Sequence, residues 1–394
     1  MQSVGFSRNV SRSRGRLNAK TEIGAIRALV QGADAWYGLS NMGGNAMVNL
    51  KTGKSDRVKG KDVYGKMMTL VRTQPKQLSL FQTFLPENDD KYSNTIDLYD
   101  AVPKYFPTKH MAGRRESGKY LPILEREFEH RGESYKLKIR PARIQYKDGQ
   151  EREYYPSYRE EIIEEALRKI ACDRLSGVYL DDRAGVQFTL YALRKELWAR
   201  GHALNLPDLL EGLKICNLAS LSVQKADGTA IIQAPIFPVL LVASKDDWLQ
   251  NPKDARCYVQ FNPLVTASID HLTYRQFDYL TYMSYKHRLS RWLHKRLAHN
   301  YIQAGLLSPY TIRMSTILRD SGAYQSKRGN NNAREIDNAL EELKTKRVLM
   351  KFTKDIVRGP RNRLVDIAYT LQPDMDFINE MKKANARLKR LSVQ

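Results

Sequence analysis

The sequence predicts an α+β chain, two tandem winged-helix domains with a partly disordered basic N-terminal region ahead of them. Three observations predict it. One order of elements (helix, strand, helix, helix, strand, strand) occurs twice. Asp-Gly and Gly-Pro turns fall where each order needs a hairpin. Residues 1–20 are rich in Arg and Ser and have no apolar periodicity with which to build a core.

The first copy begins at Pro156. A helix is predicted over Pro156–Asp173, with Ile163, Ala166, Leu167 and Ile170 along one face. Val186–Thr189 reads as a short strand. Leu190–Arg200 is a second helix, stopped by Gly201, and Leu206–Asn217 is a third that accepts Pro207 in its first turn. Two strands follow, Ser220–Gln224 and Ile231–Ser244, joined through Asp227-Gly228.

The second copy opens on a long helix, Arg275–Ala304, stopped by Gly305. Pro309–Ile312 supplies a short strand, Met314–Asp320 a short helix, and Asn332–Lys346 a third helix with an inner stripe of Ile336, Ala339, Leu340 and Leu343. Val348–Thr353 and Leu364–Leu371 are strands joined by the basic turn Arg358–Arg363. Outside the two copies, Glu22–Asp34 reads as a helix, Asn41–Lys61 as a flexible loop, and Glu125–Tyr155 as a strand-rich insert. The domains expected are 1–95, a basic and largely flexible region; 96–245, the first winged helix with its insert; 246–375, the second; and 376–394, a basic tail.

The chain has 394 residues and a net charge of +22, with a pI near 9.7. Residues 1–76 carry net +10, residues 77–270 net −1 and residues 271–394 net +13. Such a surplus attracts polyanions, because Lys and Arg displace the counterions condensed on phosphates. Cys172, Cys216 and Cys257 are odd in number and have no CxxC spacing, which excludes a disulfide framework and a standard zinc finger and fits a reducing compartment. Met1–Lys20 lacks the apolar core of a secretory signal, and no apolar run is long enough to span a bilayer, so no membrane partner is expected.

On the third helix of the second copy, the face opposite the stripe carries Asn331, Arg334, Asn338, Glu341 and Thr345. Arg pairs bidentately with guanine edges and Asn with adenine edges, so this face suits a major groove. Lys327 and Arg328 precede the helix, where phosphate contacts are expected, and Arg358, Arg361 and Arg363 crown the wing. The predicted DNA-binding set is therefore Lys327, Arg328, Asn331, Arg334, Asn338, Thr345, Arg358, Arg361 and Arg363. The third helix of the first copy has Asp208 and Glu211 among its few polar residues, which suits DNA poorly. That domain is expected to serve self-association, between monomer and dimer, or to touch the backbone through other elements.

Gln77, Leu78, Ser79, Leu80 and Phe81 follow Pro75 in a polar stretch. An extended peptide of this kind can insert Leu80 and Phe81 into an apolar pocket while the Gln77 amide is held by hydrogen bonds. The pentapeptide looks like the one by which bacterial replication proteins dock on the β sliding clamp. With the tandem winged helices and the charge, residues 75–375 resemble the TrfA-like replication initiators of broad-host-range plasmids. The resemblance includes Val186–Tyr191, opening the second helix, and Leu340–Leu343 in the last third helix. Residues 1–70 and the insert depart from that family. The resemblance implies binding of double-stranded origin repeats (iterons), with single-stranded origin DNA left open as a further partner. It also implies origin opening alongside DnaA, recruitment of the DnaB helicase and the clamp, and a place in the bacterial cytoplasm on plasmid or nucleoid DNA.

No catalytic or metal constellation is expected, and no cofactor. Gly113–Lys119 has Walker A spacing, but Tyr120 stands where Ser or Thr would hold Mg²⁺, and Pro122 interrupts the helix. Gly53-Lys54-Ser55 lacks the upstream glycine. The seven histidines never show the His-apolar-His pair of a nickase. His287, His294 and His299 share one predicted helix with Arg288, Arg291, Lys295 and Arg296, and are read as interfacial or phosphate-facing. A transcriptional repressor and a DNA-processing enzyme (primase or nickase) with an unrecognised active site stay open as alternatives.

Overall fold

A computed structural model describes residues 76–77, 91–106, 120–172, 176–180, 182–228, 231–243, 249–250, 255–271, 273–323 and 325–391. All belong to the unit that begins at Gly53. The Glu22–Asp34 helix, the Asn41–Lys61 loop, Leu78–Phe81 and Gly113–Lys119 lie outside the described residues. The fold mixes helix and sheet.

Ser157 starts helix α2 (Tyr158–Ala171; α1 is Asp97–Ala101) because the Glu160 carboxylate takes both its N–H at 2.8 Å and its hydroxyl at 2.7 Å. Thr189 caps α3 (Leu190–Ala199) and Asn205 caps α4 (Leu206–Leu218), each side-chain oxygen accepting a backbone N–H three residues on. Helix α4 lies close on α2 at Gly212, where a Cβ would sit 2.5 Å from Ile163 Cδ1. These three helices match the predicted positions closely.

The sheet of the first copy does not. Strands β9 (Ser220–Lys225) and β10 (Ile231–Pro235) form the expected hairpin, but it joins β4 (Glu133–Arg140) and β3 (Leu124–His130) in the order β10-β9-β4-β3. The strand ahead of α3, β8 (Arg183–Thr189), pairs instead with β12 (Arg256–Gln260), and β12 with β11 (Val239–Leu241). The antiparallel order β8-β12-β11 is the one the second copy shows in β14 (Tyr310–Arg313), β16 (Leu364–Pro373) and β15 (Leu349–Arg358). The hairpin after α4 is thus an insertion, and the strands in the wing position come later. Both are antiparallel with suitable turns, so local pattern alone does not separate them.

Beyond β8 lie β7 (Gly177–Leu180) and β1 (Lys76–Gln77). Within the region expected to be largely flexible, the Lys76–Gln77 backbone pairs antiparallel with Val178–Tyr179. A sheet edge offers unpaired N–H and C=O groups that even two extended residues can satisfy.

The predicted long helix Arg275–Ala304 is three elements: β13 (Tyr274–Asp278), α6 (Tyr279–Met283) and α7 (Arg288–Asn300; α5 is Pro263–Asp270). β13 is drawn into strand by pairing with β2 (Tyr92–Ile96), and Asp278 then caps α6 by accepting the Thr281 N–H at 2.9 Å. After α7 come β14, α8 (Met314–Ser321), α9 (Gly329–Thr345), β15 and β16. The expected basic tail is a packed helix, α10 (Met375–Leu391), whose Phe377, Ile378, Met381 and Ala384 are buried. Its Glu380 accepts the Asp278 N–H at 2.9 Å.

A buried ionic layer joins the two copies. Helix α2 carries Glu160, Glu161, Glu164 and Glu165, all buried, and α7 brings Arg291 and Lys295 against it. Lys295 Nζ lies 2.5 Å from Glu165 and 3.3 Å from Asp100 of α1, and Arg168 lies 2.9 Å from Asp100. Burial alone would raise Asp100, but Arg168, Lys295 and Lys104 outweigh it and hold the carboxyl well below the usual range. Burial pushes Glu165 up despite the cations beside it. Of the groups read as interfacial or phosphate-facing, His294, His299, Arg291 and Lys295 are interior: His299 faces Asp97 of α1, Arg291 and Lys295 face the carboxylates of α2, and His294 lies 3.8 Å from Glu380 of α10. His299 sits 3.5 Å from Asp97, beside a cavity of about 30 Å³ that Asp97, His130, Arg131, Trp292 and Lys295 also line. Much of the positive charge of α7 is therefore spent inside the protein.

Candidate nucleic-acid interface

Helix α9 forms because Ile336, Ala339, Leu340 and Leu343 recur on one face, and all four are 0% exposed. It starts at Gly329, three residues before the predicted start, and has no side-chain cap. The loop ahead is fixed by Asn332, which accepts the Ser326 N–H at 2.7 Å and donates to the Ser326 carbonyl at 3.0 Å. Glu342 anchors the helix by accepting the Lys286 N–H (2.6 Å) and the Ser290 hydroxyl (2.6 Å) at the start of α7.

The opposite face holds the predicted readers. The Arg334 and Asn338 side chains are exposed and make no hydrogen bond or ion pair among the described residues. Thr345 is exposed, but its hydroxyl donates back to the Glu341 carbonyl at 2.9 Å, and Glu341 pairs with Lys344 at 3.3 Å. Asn331 is half-buried, its amide 3.4 Å from the Ser326 hydroxyl. Of the four predicted base-facing side chains, Arg334 and Asn338 have their donors and acceptors uncommitted. Lys327 and Arg328 are exposed immediately before the helix, with the Arg328 N–H on Ser326 Oγ at 3.2 Å.

The wing is longer than predicted, ten residues in each of β15 and β16. Its tip is Gly359–Arg363. The Gly359 N–H donates to the Arg363 carbonyl at 2.8 Å, and Arg361 and Asn362 both sit in the left-handed region, at φ 56° and 58°. Arg358, Arg361 and Arg363 are all exposed there, Arg358 reaching the Asn362 carbonyl at 3.2 Å.

Sequence reasoning missed the ties that hold wing and helix together. Lys354 of β15 pairs with Asp337 of α9 at 2.8 Å, and Tyr369 of β16 donates to the same carboxylate at 3.3 Å. Burial, with Asp337 beside it, raises the Tyr369 phenol. Asp366 accepts the Ser315 N–H (3.1 Å) and hydroxyl (2.7 Å) at the start of α8. An acidic residue next to the predicted DNA-reading Asn338 is the signal that could have flagged Asp337, since a carboxylate so close to phosphates is out of place unless it serves the protein itself.

The matching helix of the first copy, α4, is covered. Strands β5 (Ala142–Gln145) and β6 (Glu151–Tyr154) form a hairpin that lies on it, packing Ala142 and Ile144 against Ile215 and Ala219. Arg159 draws Glu211 in at 2.7 Å and Asp208 at 3.8 Å, and the Tyr146 hydroxyl donates to Glu211. The carboxylates that made α4 look unfit for DNA are bound within the protein.

Among the described residues no helix is long and apolar enough to cross a membrane, and no group of three His, Cys, Asp or Glu is placed to hold a metal ion. No family model matches the sequence, and no curated protein matches it either. Solved structures similar to this chain include a crystal structure of domain 2 and domain 3 of RctB: 8% identity, 70% of this chain and 99% of that one, TM-score 0.41. A second crystal structure of RctB domains 2–3 is 8% identical over 68% of this chain and 98% of that one, TM-score 0.38. A crystal structure of Pi initiator protein in complex with iteron DNA is 11% identical over 60% of this chain and 98% of that one, TM-score 0.37.

Proposed function

We propose that this chain is a non-enzymatic replication initiator that binds duplex origin repeats through its second copy. Both copies are read as winged helices. The observation that carries the reading is the pair Arg334 and Asn338, uncommitted and exposed on α9, flanked by Lys327 and Arg328 before it and three arginines on the wing beside it. A helix with that face enters a major groove, its first turn meets phosphate, and the wing reaches the adjacent backbone or minor groove. The +13 of residues 271–394, less the α7 cations buried in the ionic layer, supplies the electrostatic part of the affinity.

On this reading the first copy serves assembly rather than base recognition, including exchange between monomer and dimer. Gln77–Phe81 recruits the β sliding clamp, and DnaA and DnaB are the further partners the family resemblance implies. The chain acts on bacterial DNA in the cytoplasm.

Footprinting of the full chain on DNA flanking its own gene tests the reading. Protection of directly repeated sites, lost in Arg334→Ala and Asn338→Ala, is the expected result; uniform protection unaffected by either change refutes it. A Mg²⁺-dependent nicking and primer-synthesis assay on the same preparation should show no product. Pull-down with purified clamp should succeed for the wild type and fail for the Leu80→Ala/Phe81→Ala double variant, with DNA affinity unchanged.

A further inference from the structure

Helix α9 carries the acidic residues Glu335, Asp337, Glu341 and Glu342. Asp337 ties the wing to the helix, and Glu342 ties the helix to α7. Glu335 stands about 100° round the helix from Arg334, off the reading face. Glu341 is different. It falls within about 60° of Arg334 and Asn338, and its side chain is 57% exposed. Among the described residues its carboxylate pairs with Lys344 alone, at 3.3 Å, and the Lys344 side chain is 47% exposed. That pair lies within α9, so it fixes no other element. A carboxylate on a face that meets DNA is repelled by the phosphates unless the bases offer it a donor.

In the major groove the base donors are the exocyclic amino groups of cytosine and adenine. In a C·G pair the cytosine amino group lies beside guanine O6, about 2.9 Å away because the two are hydrogen-bonded to each other. Guanine N7 follows as a second acceptor. Glu341 and Lys344 present the complementary order, an acceptor beside a donor, 3.3 Å apart. An A·T pair also sets a donor beside an acceptor. It adds adenine N7 on the carboxylate side, where two acceptors repel, and the thymine methyl on the ammonium side. An inverted pair, G·C, puts guanine O6 against the carboxylate.

We propose that Glu341 and Lys344 together read one C·G pair, Glu341 accepting from the cytosine amino group and Lys344 donating to guanine O6 and N7. Lys344 also offsets the carboxylate in the field of the phosphates. From Arg334 to Glu341 the helix advances about 10 Å, or about three base-pair steps of about 3.4 Å. The repeat core therefore holds a guanine met by Arg334, an adenine met by Asn338, and the C·G pair about three steps from the guanine, under the C-terminal part of α9. The inference rests on the reading of α9 as the major-groove helix, and adds to it an order of bases.

The test is selection of bound duplexes from a random library by the full chain, followed by affinity measurement on duplexes with single base-pair changes. The wild type should select a C·G position that loses about tenfold in affinity when inverted to G·C. Glu341→Gln should turn that position toward A·T, because an amide pairs bidentately with adenine N6 and N7. It should leave the positions lost in Arg334→Ala and Asn338→Ala unchanged. Lys344→Ala should weaken the C·G preference at the same position, and Glu335→Gln, off the face, should change no position. A Glu341→Gln profile identical to the wild type overturns the proposal, even if overall affinity rises, and so does a Glu341-dependent position that is not C·G. A Glu335→Gln change equal to that of Glu341→Gln also overturns it, since net charge then accounts for the effect. In each case, positions lost in Arg334→Ala and Asn338→Ala leave the α9 reading standing. Profiles that neither of those variants alters refute both.

Discussion

Helices α4 and α9 occupy the same place in two copies of one element order, yet their surfaces have opposite fates. On α9 the face away from the core is bare, with Arg334 and Asn338 uncommitted. On α4 the insert hairpin covers Ile215 and Ala219, and Arg159 and Tyr146 take up the carboxylates. A repeated order of elements specifies where a helix goes, because packing periodicity is local. Whether that helix can meet a ligand depends on what the rest of the chain lays over it.

The strongest way to break this comparison is to loosen the cover. Ile215 is 1% exposed and touches the hairpin, so Ile215→Ala should cost about 2–5 kcal/mol through lost burial and the cavity left behind. A melting curve measures the loss. Repeat preference should be unchanged in the same variant at a temperature where it is folded. A shift in preferred sequence would mean that α4 reads DNA once uncovered.

The ionic layer between the copies gives the next largest effect. Burial pushes His299 down to about 4, more than Asp97 beside it can offset, against an ordinary value of 6.5. A histidine with a depressed folded pKa takes up its proton more readily when unfolded. Its contribution is therefore complete above pH 6.5 and is lost as the pH falls toward 4, by up to about 3 kcal/mol. Asp97, held below its ordinary value against the effect of burial by His130, His299 and Arg131, adds an acid loss of the same sign at lower pH. Urea denaturation at pH 7, 5.5 and 4.5 should show the fall, and His299→Gln should flatten it between pH 6.5 and 4.5. An unchanged slope in that variant places the acid sensitivity elsewhere.

At the reading face, Arg334→Ala and Asn338→Ala should each cost about 1–3 kcal/mol in binding and relax one base position, with little change in melting temperature. The counterpart on α4, Asp208→Ala, should leave the binding profile intact. Sequence-resolved affinity measurements on the three variants decide this. If Asp208→Ala alters base preference, the functional contrast between the helices is wrong.

The helices of both copies and the α9 face were legible in the sequence because each depends on residues three and four apart. Three things were not. The wing-position strands β11 and β12 follow an inserted hairpin of the same antiparallel type, and only long-range pairing distinguishes the two. The run Tyr274–Asp278 looked helical beside α7, but it is a strand because β2 arrives from 178 residues earlier, at Tyr274↔Ile96. The charged groups of α7 read as interfacial or phosphate-facing, and the first alternative could not be chosen because their partners on α1 and α2 lie more than a hundred residues away. Net charge counts side chains without showing which are already paired.

The smallest effect distinguishes the copies at their phosphates. Lys327, just before α9, and Arg363, at the wing tip, are exposed, and neither side chain has a hydrogen bond or ion pair among the described residues. Each is placed to neutralise one phosphate without reading a base. Lys327→Ala or Arg363→Ala should weaken all sequences about equally, by roughly 1 kcal/mol or less at moderate salt, because such contacts position the protein and carry no sequence information. Each should also make the dependence of log K on log salt shallower by about 0.9 per contact removed. Lys195, exposed on α3 of the first copy, is the control and should leave the slope where it was. A salt titration of the four proteins measures slopes rather than absolute affinities, so modest differences in active fraction do not disturb it. If Lys195→Ala changes the slope as much as Lys327→Ala, the first copy also lies along the duplex, and its part in binding is electrostatic even though its third helix is covered.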